Sequence, residues 1–205
     1  RIRKASRREA DVTPPPVYTS LFQPGGEPGA AFLVASRQVP YKRIDLLAAA
    51  FARMPDLALV ISGAGPEHAR IRAAAAGAAN ITFRNPCPPA EMALRMQAAR
   101  GFVFAGEEDF GIVLAEAQAS GTPVIALDRG GAREIVAGAD APAPTGVLFR
   151  EQSVDGVIAG VRDFIANEPR ISAAACRAGA ERFSIERFHR SFTAAVERAI
   201  RDTKG

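Results

Sequence analysis

The stretch GFVFAGEEDFGIVLAE, residues 101–116, joins an apolar run of strand length to an apolar helical segment through an acidic loop. Residues 101–105 predict a buried strand, and residues 111–120 predict a helix that is apolar nearly all round and therefore buried. This helix carries Glu116, and a carboxylate inside a buried helix is costly unless something satisfies it. A bound ligand that carries hydroxyl groups is one candidate partner, and a buried arginine is another.

The same order of strand and helix recurs along the chain from residue 31 onward. Apolar runs predict buried strands at 31–36, 57–62, 80–83, 101–105, 123–127 and 146–149. Helical stretches alternate with them and then form a C-terminal tail, in which Ser184 is the predicted N-cap of the last helix; these stretches are 42–54, 66–77, 88–99, 111–120, 131–137, 152–166, 170–181 and 185–202. The alternation predicts an α/β fold with a Rossmann-like, doubly wound parallel sheet of about six strands.

The first 30 residues differ in composition from the rest. They contain a basic start, the proline run 14–16 and the Gln-Pro-Gly-Gly sequence 23–26. This composition predicts a connector over residues 1–30 and a single domain over residues 31–205.

The composition is that of an ordinary globular protein, with 205 residues of which 48% are hydrophobic and 23% are charged. A chain of this size can bury an ample core without disulfides or a structural metal. The two cysteines, Cys87 and Cys176, are far apart and neither has metal-ligand spacing, which favours a reducing cytosolic compartment and argues against zinc. Cys87 by itself is more often a small buried hydrophobe than a nucleophile. We find no secretory signal and no apolar run longer than a strand.

The formal net charge is +4, with basic residues concentrated in the first eight positions and in the last predicted helix. Aromatic residues make up only 7% of the chain and there is no Trp, so a nucleic-acid surface built on base stacking is not expected. The charge suits anionic small ligands or a face near an anionic membrane, and a solvated basic surface is the simpler interpretation.

Unusual residues follow each of the first five predicted strands. Because ligands bind outside the carboxyl ends of the strands in an open parallel sheet, these loops should converge on one crevice. The loops contain Ser36-Arg37 with Lys42, Gly63-Ala64-Gly65-Pro66, Asn85-Pro86-Cys87, Glu107-Glu108-Asp109-Phe110-Gly111 and Asp128-Arg129-Gly130-Gly131.

The chemistry of these loops combines cations, open helix ends and carboxylates. Arg37 offers a planar fork that suits phosphate oxygens, and Lys42 offers a point charge. Glycines before three helices leave N-terminal amides open to anions. Glu108 and Glu116 can accept hydrogen bonds from sugar or ribose hydroxyls. Together these features favour a nucleotide-sugar diphosphate over a plain nucleotide.

Each feature also has a purely structural interpretation. Arg37 could lie in a solvated loop, and Lys42 could lie at the start of a helix. The sequence Gly63–Gly65 lacks the third glycine of a dinucleotide fingerprint, since His68 stands there, and by itself it favours a tight turn. His68 is then expected to be a surface residue, and Gly130-Gly131 could be only a turn.

These stretches together resemble the C-terminal, donor-binding half of a retaining glycosyltransferase of the GT-B type, family 4, over nearly all of residues 9–200. The most specific match is the pair Glu108 and Glu116, with seven residues between them and Phe-Gly shortly after the first. The other matches are Ser36-Arg37 with Pro40–Leu47, Gly63–Glu67, the whole stretch Glu107–Glu116, Ala117–Ala126 and Gly130-Gly131. Within the family, the O-antigen mannosyltransferase group is similar at Tyr41–Asp45, Glu108–Val113 and Glu181–Ser184.

The resemblance implies a role for each site residue. It implies that Arg37, Lys42 and Glu108 are catalytic: the two cations hold the diphosphate and neutralise the leaving group, and Glu108 contacts hydroxyls of the transferred sugar. It implies that Glu116 accepts both ribose hydroxyls and that the backbone of Cys87 meets the base. The full implied donor-binding set is Gly65, Cys87, Asp109, Phe110, Gly111, Ile112, Val113 and Glu116. Family members usually need no metal, so no metal and no cofactor are expected beyond the nucleotide-sugar donor.

The resemblance also implies the reaction and its partners. A hexose is transferred with retention at the anomeric carbon, with mannose from GDP-mannose favoured, to a glycan or lipid-linked acceptor. The acceptor is held by an N-terminal domain outside this chain, so the chain alone should bind donor weakly and transfer nothing. We expect a cytoplasmic protein that contacts the inner face of the membrane peripherally.

Two alternatives stay open. A UDP-sugar donor is one, because the loop 85–87 replaces a Gly-x-Val pattern that is common in the family. A non-catalytic nucleotide-binding module is the other, and the intact set of Arg37, Lys42, Glu108 and Glu116 argues against it.

Overall fold

The computed structural model of the chain describes residues 12–204, so the basic start of the predicted connector lies outside the described residues. Six parallel strands form one sheet in the order β3-β2-β1-β4-β5-β6. The α/β fold and all the predicted strands are confirmed. Their bounds are β1 Phe32–Ala35, β2 Leu59–Ser62, β3 Ile81–Arg84, β4 Gly101–Phe104, β5 Val124–Leu127 and β6 Gly146–Phe149.

The helices follow the predicted alternation. They are α1 Ile44–Ala52, α2 His68–Ala75, α3 Pro89–Gln97, α4 Ile112–Ala119, α5 Ala132–Ile135, α6 Val154–Asn167, α7 Ala173–Glu181 and α8 Ile185–Lys204. Ser184 precedes α8 as predicted, and its Oγ accepts a hydrogen bond from the Arg187 amide at 3.4 Å. No helix in the described part of the chain combines the length and the hydropathy needed to span a bilayer.

The first helix begins later than the sequence predicted, and this difference affects the site. The predicted start at residue 42 is wrong, because Pro40–Lys42 form a separate 3-10 turn. Arg43 ends that turn with a left-handed backbone (φ 50°), and α1 begins only at Ile44. Lys42 therefore projects from a tight turn before the helix.

Two apolar cores cover the two faces of the sheet. Alternate residues of each strand point to opposite faces, so Phe32 belongs to one core and Leu33 to the other. On the first face, which is covered by α1, α2 and α6, the ring of Phe32 meets those of Phe51 and Phe164 edge-on, with centroids 5.4 and 5.8 Å away. Helices α3, α4, α5 and α7 cover the second face. This arrangement is the predicted doubly wound sheet.

The described part of the predicted connector packs onto the domain. The Val17 amide donates to the Phe183 carbonyl at 2.8 Å, and the side chains of Val17 and Phe22 are buried in the second core. Arg177 anchors this segment from α7, since its Nη1 donates to the carbonyls of Thr19 (2.7 Å) and Phe22 (2.5 Å). The division of the chain at residue 30 stays a prediction.

The anchoring by Arg177 gives a test of how the segment is held. Arg177→Met should lower the free energy of unfolding by about 1–3 kcal/mol, because it leaves partly buried carbonyls without their donor. Urea unfolding measures this loss, and limited proteolysis should show faster cleavage between residues 12 and 24. The control is Arg162→Met, on the exposed side of α6. Equal losses in the two variants would contradict the anchoring role.

Candidate functional site

Two adjoining cavities lie at the carboxyl end of the sheet. The larger, of about 910 Å³, is lined by the loops after β1, β4 and β5. The smaller, of about 400 Å³, is lined by the loops after β1, β2 and β3. The five predicted loops therefore converge, and the two cavities share the residues Ala35, Ser36, Val113 and Glu116.

Lys42 and Glu108 form an ion pair in the larger cavity. The ammonium of Lys42 contacts Oε1 of Glu108, and the two side chains are only 12% and 18% exposed. The rings of Tyr41 and Phe104 lie against the same ammonium, each with its centroid 5.3 Å from Nζ. Burial lowers the pKa of Lys42 from its ordinary value. The structure thus brings together two of the three residues to which the resemblance assigns a catalytic role, whereas the third, Arg37, lines only the smaller cavity.

The backbone around this pair is closely packed. A Cβ at Gly106 would lie 3.1 Å from the Cα of Lys42 and 3.0 Å from the Phe104 ring. Such contacts are tight for a side-chain carbon, so the glycine allows the acidic loop to approach the 3-10 turn. The loop after β4 thus places Glu108 beside Lys42.

Glu116 lies on α4, where the two cavities meet. Its side chain is half-buried, and burial raises the pKa of its carboxyl group. Among the residues that the structure describes, none gives this carboxylate a hydrogen bond or an ion pair, so the buried arginine considered from the sequence is not found. The carboxylate faces space that a hydroxyl-bearing ligand could fill.

The N-terminus of α4 opens into the larger cavity. Gly111 precedes the helix with φ 93°, a conformation that favours glycine. The Leu114 amide donates to the Gly111 carbonyl at 2.9 Å. The amides of Ile112 and Val113 precede Leu114 in the first turn of the helix. Such amides and the helix dipole attract anions.

Gly130 and Gly131 support the acidic loop. A Cβ on Gly130 would lie 2.1 Å from the Glu108 carbonyl oxygen, and one on Gly131 would lie 2.0 Å from the Phe110 carbonyl oxygen. The Gly131 amide also donates to the Glu108 carbonyl at 2.9 Å. Both glycines lie in a turn, as the structural interpretation has it, and the turn also supports the acidic loop, because a side chain at either position would displace that loop.

The smaller cavity is lined by the exposed Arg37 and by the half-buried Cys87. Arg95 on α3 braces the loop that carries Cys87, since its Nη1 donates to the Asn85 carbonyl (3.1 Å) and to the Ser62 hydroxyl (2.6 Å). The sequence does not single out Arg95. Its role depends on the ends of β2 and β3 lying side by side, which brings Ser62 and Asn85 within its reach.

Gly65 is the member of the predicted donor-binding set that lines neither cavity. A Cβ there would lie 2.3 Å from the carbonyl oxygen of Gln38, so the loop after β2 packs on the loop after β1. The buried Gln38 donates to the Gly63 carbonyl at 3.0 Å and lies 2.8 Å from Nδ1 of His68. His68, which was interpreted as a surface residue, is half-buried in this network. A buried glutamine between two loops gives no periodic signal in the sequence.

The remaining predicted donor-binding residues line the larger cavity, and they are Asp109, Phe110, Gly111, Ile112 and Val113. The sequence had not predicted roles for Pro15, Tyr41 and Glu107, which line the same cavity. Within residues 12–204 no cluster of three or more His, Cys, Asp or Glu side chains could hold a metal ion. Independence from metals stays a prediction.

A family model described as "Glycosyl transferases group 1" matches residues 23–183. The chain belongs to this glycosyltransferase family. The resemblance stated from the sequence motifs is thereby confirmed at the level of the family.

Two curated relatives of this group 1 glycosyltransferase chain illustrate the similarity. The D-inositol 3-phosphate glycosyltransferase of Segniliparus rotundus is 34% identical over 96% of this chain and 49% of its own length. The GDP-mannose-dependent alpha-mannosyltransferase of Mycolicibacterium smegmatis is 36% identical over 76% of this chain and 40% of its own length. The chain thus spans about half the length of the curated relatives it matches.

Solved structures share the fold of this group 1 glycosyltransferase chain. Sucrose-phosphate synthase from Thermosynechococcus elongatus has a TM-score of 0.81 at 23% identity, over 98% of this chain and 56% of that one. HepE from Anabaena, solved in complex with UDP and glucose, has a TM-score of 0.74 at 18% identity, over 89% of this chain and 55% of that one. The fold is one half of the GT-B architecture.

The close packing at Gly131 gives a test of the site's construction. Gly131→Ala should lower the free energy of unfolding by about 1–3 kcal/mol, because its methyl group overlaps the Phe110 carbonyl. We also expect it to weaken binding of the nucleotide donor that the resemblance implies, since Phe110 and Glu108 must move. Thermal unfolding and calorimetry measure the two effects. Gly138→Ala is the control, because a Cβ there meets nothing within 4 Å; a loss as large in that variant would contradict the argument.

Proposed function

We propose that this chain is the donor-binding half of a retaining glycosyltransferase that transfers a hexose to a glycan or lipid-linked acceptor. The observation that carries the proposal is Glu116, whose carboxylate has no protein partner within the described residues and stands where two cavities meet. A ribose seated at this carboxylate leaves one cavity for the base and the other for the diphosphate and sugar.

The charges around Glu116 support this placement of the donor. Towards the larger cavity lie the N-terminus of α4 and the ammonium of Lys42, both of which attract phosphate. Towards the smaller cavity lie the loop of Cys87 and Arg37, whose exposed side chain we propose reaches the diphosphate from that side. The proposed order along the donor is base near Cys87, ribose at Glu116, diphosphate at the α4 end with Lys42 and Arg37, and sugar hydroxyls at Glu108.

The proposed mechanism rests on stabilisation of the leaving group. When the bond between the anomeric carbon and the phosphate oxygen breaks, negative charge grows on the diphosphate. Lys42, Arg37 and the α4 amides would stabilise this charge, so the transfer would need no metal ion. The acceptor, which we propose is held by a domain outside the chain, would bond through its hydroxyl oxygen to the same face of the sugar, and the departing phosphate oxygen would take up the hydroxyl proton.

GDP-mannose is the favoured donor, and a UDP-sugar is the second candidate. Support for mannose comes from two Mycolicibacterium smegmatis relatives whose names specify GDP-mannose, at 36% and 32% identity. The UDP complex of HepE concerns a protein only 18% identical, which is a likeness of fold. We further propose a cytoplasmic location, with peripheral contact at the inner face of the membrane.

Calorimetry of the chain with GDP, GDP-mannose, UDP and UDP-glucose tests the proposed function. We expect binding of GDP and GDP-mannose, and weaker binding of the uridine ligands. Tighter binding of UDP and UDP-glucose would instead identify a UDP-sugar, the second candidate, as the donor. If a folded chain binds none of the four, the proposal of a donor-binding domain is wrong.

Glu116→Gln separates the two interpretations of that carboxylate. Nucleotide affinity should fall about three- to tenfold, because a charged acceptor is lost. Since burial raises the pKa of Glu116 in the folded state, the unpaired charge opposes folding. Wild-type stability should therefore decrease as pH rises from the unfolded pKa through the folded one, and the variant should lack this decrease.

The measurements for this variant are calorimetry and thermal unfolding as a function of pH. Glu151→Gln, which removes the same charge at an exposed position, is the control. If Glu116→Gln unfolds or loses stability at neutral pH, Glu116 has a structural role and the argument from its missing partner fails.

A further inference from the structure

We propose that donor binding exchanges the partners of Lys42 and Glu108, so that Glu108 sets the preference of the site for an intact sugar donor over the nucleoside diphosphate. This inference rests on the proposed function and adds to it a determinant of specificity. The observation behind it is an ion pair: Lys42, which we propose binds the diphosphate, already contacts Glu108, which we propose binds the sugar.

The ion pair occupies the space that a ligand would use. Both side chains line the larger cavity and are mostly buried, at 12% and 18% exposure. The Tyr41 and Phe104 rings, each 5.3 Å from Nζ, further limit water around the ammonium. A diphosphate that binds Lys42 must therefore compete with Glu108 for the same ammonium group.

The energetic consequence differs between the two ligands. A bare nucleoside diphosphate that takes Lys42 leaves the Glu108 carboxylate partly buried, unpaired and close to an anion, which is unfavourable. An intact donor brings sugar hydroxyls that can donate to the same carboxylate and replace the lost pair. Only the intact donor satisfies both members of the pair.

The backbone prevents the carboxylate from moving away with its loop. The Glu108 carbonyl receives the Gly131 amide at 2.9 Å, and a Cβ on Gly130 would lie 2.1 Å from the same oxygen. On the other side, a Cβ on Gly106 would lie 3.1 Å from the Cα of Lys42. With both backbones held, the exchange involves side chains alone, and Glu108 stays in the cavity when Lys42 turns to phosphate.

A matched control stands next to Glu108. Glu107 lines the same cavity and carries the same charge, but its partner is Arg129, 3.8 Å away, and it is 57% exposed. Glu107→Gln therefore changes the charge of the cavity without touching the Lys42 pair. Any effect common to both glutamine variants reflects general repulsion of the ligand.

The experiment is calorimetry of wild type, Glu108→Gln and Glu107→Gln with GDP, GDP-mannose, UDP and UDP-glucose. Glu108→Gln should bind the free diphosphate at least about threefold more tightly than Glu107→Gln does, since Lys42 is released from its partner. The ratio of sugar-donor affinity to diphosphate affinity should fall by at least about threefold from its wild-type value. No greater diphosphate affinity in Glu108→Gln than in Glu107→Gln would overturn the exchange.

A double-mutant cycle isolates the pair itself. In a Lys42→Gln background the diphosphate gain caused by Glu108→Gln should shrink, because no ion pair remains to be released. An undiminished gain would mean that simple repulsion by Glu108 explains the effect, and the exchange would be wrong. If Glu108→Gln fails to fold, Glu108→Asp, whose shorter side chain withdraws from Lys42, must show the same rise in diphosphate affinity.

These outcomes also separate the inference from the proposed function. If the wild-type chain binds none of the four ligands, both are overturned. If it binds nucleotides but the two glutamine variants behave alike, the donor site stands and only the exchange is wrong.

Discussion

The site depends on the point between β1 and β4 where the order of the parallel strands in the sheet reverses. Helices α1 and α2, which follow β1 and β2, cover one face, and α4, which follows β4, covers the other. Because the chain leaves these two neighbouring strands towards opposite faces, a crevice opens at the carboxyl end of the sheet. Lys42 follows β1 and Glu108 follows β4, and their ion pair lies in the larger cavity.

Close backbone contact shapes the two sides of this crevice. The acidic loop rests on Gly130 and Gly131 on one side and on the turn of Lys42, through Gly106, on the other. The loop after β2 rests in the same way on Gln38 through Gly65. Packing this close resists movement of the loops, so the exchange that we propose for Lys42 and Glu108 involves their side chains.

The two carboxylates of the opening stretch differ in what the folded chain offers them. Glu108 has a cation beside it, whereas Glu116 has no partner within the described residues and a raised pKa. A half-buried charge without a partner opposes folding. The stability of the fold therefore does not explain why a glutamate stands at position 116. The same location, between two cavities, is what a ligand with paired hydroxyls would use.

The order of strands and helices could be predicted because every strand is a short apolar run, and its burial depends only on that local composition. The convergence of the five loops followed from the parallel order, since the carboxyl ends of the strands share one edge. The start of α1 was predicted too early, because the left-handed conformation of Arg43 is invisible in residue identity. Arg95 and Gln38 were not predicted to brace loops, because their partners are backbone carbonyls far away in sequence.

By itself, the sequence determined the fold class and the family motifs, because these depend on local patterning and residue chemistry. Only the tertiary structure decided which charges face each other. It paired Lys42 with Glu108, left Glu116 between the cavities and used Gly65 for packing, because contacts between distant loops depend on how the backbones approach in space.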